Sequence, residues 1–534
     1  MKCDYVNLPD GRQVHYRRAG SGPAMILLHP SPQCSEAMVP ALTAFSQVCS
    51  CFALDTPGYG LSDDIPEMQP DMGDYADSVI ATADALGMDQ FYLYGAATGS
   101  QVAIELGKRY PSRIKLMMLD SNGHVPDDER ERLMDGYFPD VTPRRDGGHL
   151  LTYWDMCRHL FVAFPWQSDR IEDRLGIPLP PVEVTQMMLL RYLRAGTQYA
   201  KAYRPAFQTE KRSHMDGLTV PATIMRWEAS IALAITDALI NLGVPESMEV
   251  LHAGPTIDER FSVQVEKLRQ TIADHGDATA FEPMKTTALG SGFERRYYPS
   301  GGHQIHAQIL SAAQGKPIIF LHDALQSSDQ MRDLAKKFAN NRPAILVDLP
   351  GHGATMMAVD EPSLSLSSLT ENLVPVIRAI SDGPVDIVGV GLGAAIGIKL
   401  ADHITVDHLR IVDPIAFTPS EQAAFAEAGL IDIAPKPDGS HLISAWAMMV
   451  DDEFFWPWFD KSPKAARSVA PNLSPSYLHE KLVRLLRVGA HYPAFASLQH
   501  GLDWPALLRS AATDIEIVST ARYPCPERLP ALDA

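Results

Sequence analysis

Gly95-Ala96-Ala97-Thr98-Gly99 joins the apolar run Phe91-Tyr92-Leu93-Tyr94 to a helix-like pattern over Gln101–Tyr110, and this junction decides the fold. A short apolar run is read as a buried strand, and a cluster of small residues behind it permits a sharp strand-to-helix turn. The arrangement returns at Gly389-Val390-Gly391-Leu392-Gly393, behind Asp386-Ile387-Val388.

Working outward, the chain repeats itself. His29-Pro30-Ser31-Pro32-Gln33 is answered by His322-Asp323-Ala324-Leu325-Gln326, and Asp55-Thr56-Pro57-Gly58-Tyr59-Gly60 by Asp348-Leu349-Pro350-Gly351-His352-Gly353, both 293 positions on. Asp146-Gly147-Gly148-His149-Leu150 pairs with Asp438-Gly439-Ser440-His441-Leu442, and Leu193-Arg194-Ala195-Gly196 with Leu486-Arg487-Val488-Gly489. Matches in one order at one long period mean a duplication of whole domains rather than a solenoid.

Within repeat 1, apolar runs at Val14–Arg18, Ala24–Leu28, Val48–Leu54, Phe91–Tyr94, Lys115–Leu119, Ala222–Arg226 and Met248–Leu251 alternate with helical patterns, which predicts βαβ units and a mostly parallel sheet. The alternation stops between Asp120 and Pro221, where helix-like spacing and many Trp, Met, Leu and Arg residues predict an inserted cap. The expected organisation is repeat 1 over 1–275 with a cap near 121–220, a linker over 276–287, and repeat 2 over 288–534 with a cap near 414–510. Repeat 2 has its last expected strand at Asp514–Val518, so it is read as truncated after strand seven.

His-Pro or His-Asp after the third strand, D-x-P-G-x-G after the fourth and a glycine-flanked turn after the fifth resemble the α/β-hydrolase fold superfamily, in both repeats. The resemblance implies that the turn is the nucleophile elbow G-x-S-x-G, which presents its central side chain at the C-terminal edge of the sheet. That centre is Ala97 in one repeat and Gly391 in the other, and neither can attack a carbonyl. The family's histidine follows the eighth strand, where this chain has Leu251-His252-Ala253-Gly254-Pro255-Thr256, with Pro255 at the place of the base. After the seventh strand Glu228 stands for the family's acid in repeat 1, and repeat 2 offers only Thr520-Ala521-Arg522. A serine-triad mechanism is therefore not expected.

A shaped site is expected to survive. Backbone N–H groups at Thr98 and near Ser31 are candidates for an oxyanion hole around Ala97, although Pro30 donates nothing. His29, His124 and the cap residue His149 are candidate acid/base groups, with Asp120 or Glu228 to orient them. His29 and Asp120 also have a purely structural reading, bracing the loops that follow their strands, and Asp146 alone accounts for the turn before His149. Trp154, His159 and Trp227 are candidate substrate contacts, and Tyr153, Met156, Phe161, Phe164 and Trp166 would add an apolar cap lining. The repeat 2 counterparts are His322, Gly391, Asp413 (as the twin of Asp120) and His441, while His124 has only Phe417.

Composition removes other classes. Among 534 residues, 65 acidic against 46 basic side chains give a net charge of -19, which repels a phosphate backbone, so nucleic acid is not an expected partner. The start Met1-Lys2-Cys3-Asp4-Tyr5 has no signal-peptide h-region and no apolar stretch reaches membrane-span length, which reads as a cytoplasmic protein without a membrane partner. Six cysteines are too sparse for a disulfide framework. His303 and His306, as H-x-x-H before a strand, lack further ligands, and Gly389–Ala394 lacks the spacing of a dinucleotide fingerprint, so no metal and no cofactor are expected.

Two functions remain. One is an enzyme without a covalent nucleophile, which works by histidine acid/base chemistry and an oxyanion hole in repeat 1 on a small, largely apolar carbonyl or ester compound. The other is an inactive pseudo-hydrolase that binds a small ligand or a protein partner. Pairing of the two repeats and homo-oligomerisation are further expectations.

Overall fold

The computed structural model describes residues 1–277, 280–284, 289, 292–312, 315–339, 342–357 and 364–519. It divides into two compact units, Met1–Thr142 with Thr152–Leu289, and Pro143–Leu151 with Gly290–Ala534.

The first unit holds eight strands: β1 Lys2–Asn7, β2 Gln13–Ala19, β3 Ala24–Leu28, β4 Ser50–Leu54, β5 Phe91–Ala96, β6 Ile114–Asp120, β7 Ala222–Trp227 and β8 Met248–Ala253. They form one sheet in the order β1-β2-β4-β3-β5-β6-β7-β8. β1 and β2 are antiparallel, β2 meets β4 antiparallel, and every pair from β4 through β3, β5, β6 and β7 to β8 is parallel. All residues of β3, β4 and β5 are buried, as a parallel sheet covered on both faces requires.

In the second unit β9 Phe293–Ser300, β10 His303–Leu310, β11 Ile318–Leu321, β12 Ala344–Val347, β13 Val385–Val390, β14 Val406–Val412 and β15 Asp514–Val518 make the sheet β9-β10-β12-β11-β13-β14-β15. This repeats the first sheet strand for strand, without a counterpart of β8 among the described residues. The two mostly parallel sheets are the fold class that the duplicated motifs imply. His303 and His306 lie inside β10 rather than ahead of a strand. Thr520-Ala521-Arg522 and Cys525 lie outside the described residues, as do positions 278–279 and 285–287 of the expected linker. The part between them runs against the first unit, where Phe281 N–H donates to Gly22 O (2.7 Å) and Met284 N–H to Leu86 O (3.0 Å).

The D-x-P-G-x-G motif is a strand-end brace. Asp55 accepts from Ser35 N (2.6 Å) and Leu61 N (2.8 Å) and meets His15 Nδ1 at 2.8 Å; Asp348 does the same with Ser328 N, Ala354 N and His306 Nδ1 at 2.6, 2.8 and 2.8 Å. The motif's last glycine is obligatory, because a Cβ on Gly60 would sit 2.1 Å from Asp55 Oδ2. Cys34, Cys49, Cys51 and Cys157 are buried free thiols, and burial pushes Cys49 up to about 12.

Between β6 and β7 run the helices Asp127–Met134, Gly148–His159, Val182–Ala195 and Tyr203–Thr209, and between β14 and β15 the helices Pro419–Ala428, Ser440–Phe454, Pro475–Val488, Tyr492–His500 and Trp504–Arg509. These insertions make the caps. No helix among the described residues is long and apolar enough to cross a membrane.

Candidate functional site

Both elbows keep the strained turn of the motif. Ala97 has φ 49° and ψ -113°, and Gly391 φ 50° and ψ -118°. The flanking glycines let the helix pack on the strands, since a Cβ on Gly95 would meet Gly99 O at 2.3 Å and one on Gly99 would meet Leu28 O at 2.3 Å. A non-glycine residue at positive φ costs about 1–3 kcal/mol, so Ala97 is held there by its surroundings. Ala97 N–H donates to Asp120 O (2.9 Å), and the single Ser100 hydroxyl hydrogen is shared between Gly95 O and Asp120 O.

In the first unit a cavity of about 300 Å³ opens on Ala97. Its walls are apolar, from Met38, Pro40, Ile235, Phe164, Phe207 and Phe261. Its polar groups are Thr98, Ser121, Tyr94, Tyr203, Glu210 and Arg260. The Thr98 N–H heads the helix Thr98–Arg109 and has no acceptor among the described residues, as expected of a first-turn amide. Asp120 Oδ2 accepts from Arg260 Nε (2.9 Å), Tyr94 OH (3.0 Å) and Gln264 Nε2 (3.1 Å), and burial of the guanidinium is more than offset by Asp120 and Tyr94, which keep Arg260 charged. Glu210 Oε1 accepts from Gly123 N (2.9 Å); burial pushes its carboxyl up to about 8 against the lowering pull of Gly123 and Gln101. At neutral pH the polar end of this cavity therefore presents donors: one amide, one guanidinium and one protonated carboxyl.

In the second unit a cavity of about 290 Å³ opens beside the elbow, on Val390, Asp323 and Asp413, with a floor of opposite polarity. Asp323 stands where the first unit has Pro30. Its Oδ1 accepts from Leu392 N and Ala324 N, both at 2.9 Å, and its Oδ2 from Gln499 Nε2 at 3.1 Å. Burial pushes this carboxyl up to about 7. The amide that remains open at Thr98 is thus satisfied at Leu392 by the chain's own carboxylate.

Ala97 and Thr98 line the first cavity. Ser31 does not, and its N–H donates to Thr98 Oγ1 (3.2 Å). His29 is corrected from candidate base to loop brace: its Nδ1–H donates to Pro30 O (2.9 Å), its Nε2 accepts from Thr56 N (3.0 Å), and burial pushes its pKa down. His322 repeats this with Asp323 O (2.7 Å) and Leu349 N (2.9 Å). His124 Nδ1 accepts from Arg212 N (3.3 Å) and His159 lies 3.7 Å from Asp155, and neither lines the cavity. His149 belongs to the second unit, where its Nδ1 accepts from Arg144 N (3.1 Å) and its Nε2 meets His479 Nδ1 at 3.0 Å; His441 Nδ1 accepts likewise from Lys436 N (3.2 Å). Glu228 is exposed and does not line the cavity.

Asp120 is fully buried and orients an arginine rather than a histidine. Its twin is not Asp413. Gly391 N donates to Val412 O as Ala97 N does to Asp120 O, so Val412 matches Asp120, while Asp413 (φ 48°) matches Ser121 (φ 51°). Trp154 is buried in the cap and Trp227 lies under the Arg260 guanidinium at 4.6 Å, neither of them on the cavity, and of the expected cap lining only Phe164 reaches it. Glu210, Arg260 and Asp323 were not singled out by sequence. Only Asp323 left a trace there, as the departure from Pro30 coupled to a glycine at 391.

Comparison with known proteins bears on both units. Residues 23–149 match a family model described as alpha/beta hydrolase fold, and residues 318–523 one described as alpha/beta hydrolase family. A 2-(acetamidomethylene)succinate hydrolase of Mesorhizobium japonicum is 28% identical over 102 residues, 19% of this chain and 36% of the relative. An (E)-2-((N-methylformamido)methylene)succinate hydrolase of Acinetobacter baylyi is 27% identical over 112 residues, 21% of this chain and 42% of the relative. The chain thus matches well under half the length of these relatives. Among solved structures, an enol-lactonase from Burkholderia xenovorans is similar with a TM-score of 0.37 and 15% identity, over 50% of this chain and 99% of that one.

Proposed function

The chain being a tandem member of the α/β-hydrolase superfamily, we propose that its first unit is a non-covalent enzyme, of hydrolase or lyase type, for a small, largely apolar carbonyl or ester compound. The observation that carries this reading is the donor-lined floor beside Ala97, with the open Thr98 N–H, Arg260 and Glu210 around one cavity. A carbonyl oxygen is held by Thr98 N–H and the Arg260 guanidinium, which stabilise charge as it develops there. Glu210, with a carboxyl near 8, moves the proton, because an acid/base group works best with a pKa near the operating pH. It takes the role that sequence reading gave to histidine. The two relatives carry names of hydrolases of small succinate derivatives, which accords with a small carbonyl substrate here.

The second reading, a ligand-binding pseudo-hydrolase, is favoured by one observation: Ser31 N–H is spent on Thr98 Oγ1 and Pro30 has no N–H, so the hole has one amide. The test is turnover of a panel of small esters, lactones and enamides followed by NMR, alongside intact mass after exposure to a fluorophosphonate. Turnover with an unmodified mass, lost in Glu210→Gln, supports the enzyme. A phosphonate adduct would overturn non-covalent chemistry, and saturable binding without turnover would leave the pseudo-hydrolase.

A further inference from the structure

The cavity of the second unit is built like the first in place and size but not in chemistry. At the floor the first cavity is lined by Pro30, Ala97, Thr98 and Ser121, the second by Asp323 and Asp413, the Asp323 carboxylate lying against Gly391 and the Leu392 amide. The open amide is gone, two carboxyl side chains line the floor, and Asp323 is 4% exposed. A carboxylate has about four lone-pair sites; Asp323 uses two on Oδ1 and one on Oδ2, which leaves one for a donor in the cavity.

The wall is aromatic and neutral where it meets this floor. Phe207 of the first cavity gives way to His500, whose ring stacks on Phe425 with centroids 3.9 Å apart and lies 6.2 Å from Trp456. His500 Nδ1–H donates to Ala496 O (2.6 Å), so its Nε2 is an acceptor, and burial pushes its pKa down to about 4. Trp458, Tyr477 and Tyr492 complete the wall. Two cations also line the cavity. Lys481 is neutralised by Asp452 (2.5 Å) and Glu453 (3.0 Å), and Arg484 lies 3.7 Å from Glu480.

We propose that the capped cavity of the second unit is a separate binding site for a small, largely apolar amine, its ammonium against Asp323 and Asp413 and its apolar body against Phe425, Trp456 and His500. The carboxylates supply the ion pair and its charge-assisted hydrogen bonds, and the aromatic wall covers the apolar body. The duplicated fold thus offers two cavities of inverted polarity, the first for an acceptor and the second for a donor. This proposal stands apart from the reading of the first unit and uses none of its residues.

The test is calorimetry on the full chain with alkyl and arylalkyl amines of three to nine carbons, each beside its alcohol and carboxylate isostere. At least one amine is expected to bind tenfold or more tightly than both isosteres. Asp323→Asn, which keeps an acceptor for Leu392 and Ala324, is expected to weaken it at least tenfold, and Asp413→Ser, which copies the first unit, severalfold. Should Asp323→Asn lose its fold, Asp413→Ser carries the test. Tighter binding of a carboxylate isostere, amine affinity unchanged in both variants, or no binding across the amine series would each overturn the proposal.

Discussion

The carboxylate of Asp323 lies where a side chain at position 391 would begin: a Cβ built on Gly391 would sit 1.8 Å from Asp323 Oδ1. The seat that the superfamily gives to a nucleophile is filled in the second unit by a residue borrowed from the loop after β11. Glycine at 391 is the condition for that exchange, since Ala97 shows that the turn itself tolerates a Cβ at the same φ.

Gly391→Ala is therefore expected to cost about 3 kcal/mol, from the positive φ and the displaced carboxylate together. In Gly391→Ala/Asp323→Ala the second part disappears. Denaturant unfolding of the two single variants and the double should give a coupling above about 1 kcal/mol; additive losses would mean that the two side chains do not compete for one place.

Arg260→Met leaves Asp120 buried with one charged partner fewer, and the expected loss is about 3–5 kcal/mol. Adding Asp120→Asn should recover a large part of it, because a neutral amide no longer needs the guanidinium. Melting temperatures of the three variants measure this. No recovery in the double variant would mean that Arg260 matters for its packing on Trp227 rather than for its charge.

Glu210 gives the pH dependence a sign. Its folded pKa, about 8, is raised above the ordinary glutamate value, so the folded state holds a proton that the unfolded chain has released. Its contribution to stability is fully present below the ordinary glutamate pKa and is lost as pH rises through the window up to about 8. Glu210→Gln should match the wild type near pH 4.5 and exceed it in stability at pH 9. Parallel stability curves for the two proteins across that range would refute the assignment.

His29→Gln removes a ring that spans Pro30 O and Thr56 N, and is expected to cost about 1–3 kcal/mol without altering the pH profile of turnover by the folded fraction. His124→Gln, whose side chain does not line the cavity, should leave the pH profile of turnover unchanged. A turnover profile that loses an acidic limb in His29→Gln would restore His29 as a proton carrier.

The duplication and the architecture of each half follow from the order of amino acids alone. Glycine spacing at the elbows, the D-x-P-G-x-G braces and the continuous apolar runs of β3, β5, β11 and β13 are local requirements, and local requirements repeat legibly. Strands β1, β9 and β10 carry no such run, because they mix polar and apolar residues at the margin of each sheet, as in Phe293-Glu294-Arg295-Arg296. The absence of a nucleophile at Ala97 and Gly391 was equally plain.

What fills the sites was decided only by tertiary structure. A histidine in a motif carries no mark of whether its two nitrogens are satisfied, and His29, His322 and His149 all proved to be. Asp413 was matched to Asp120 by counting along the chain, yet the ladder sets Val412 there and aligns Asp413 with Ser121, because one residue of register moves a side chain from a buried brace to a cavity wall. Glu210, just past the helix Tyr203–Thr209, and Arg260, in the helix Ile257–Asp274, lie about 110 and 160 positions beyond the elbow and meet around Ala97 only when the cap and that helix fold over the sheet. Chemistry assembled from distant segments has no spacing to read, and the folded chain alone brings it together.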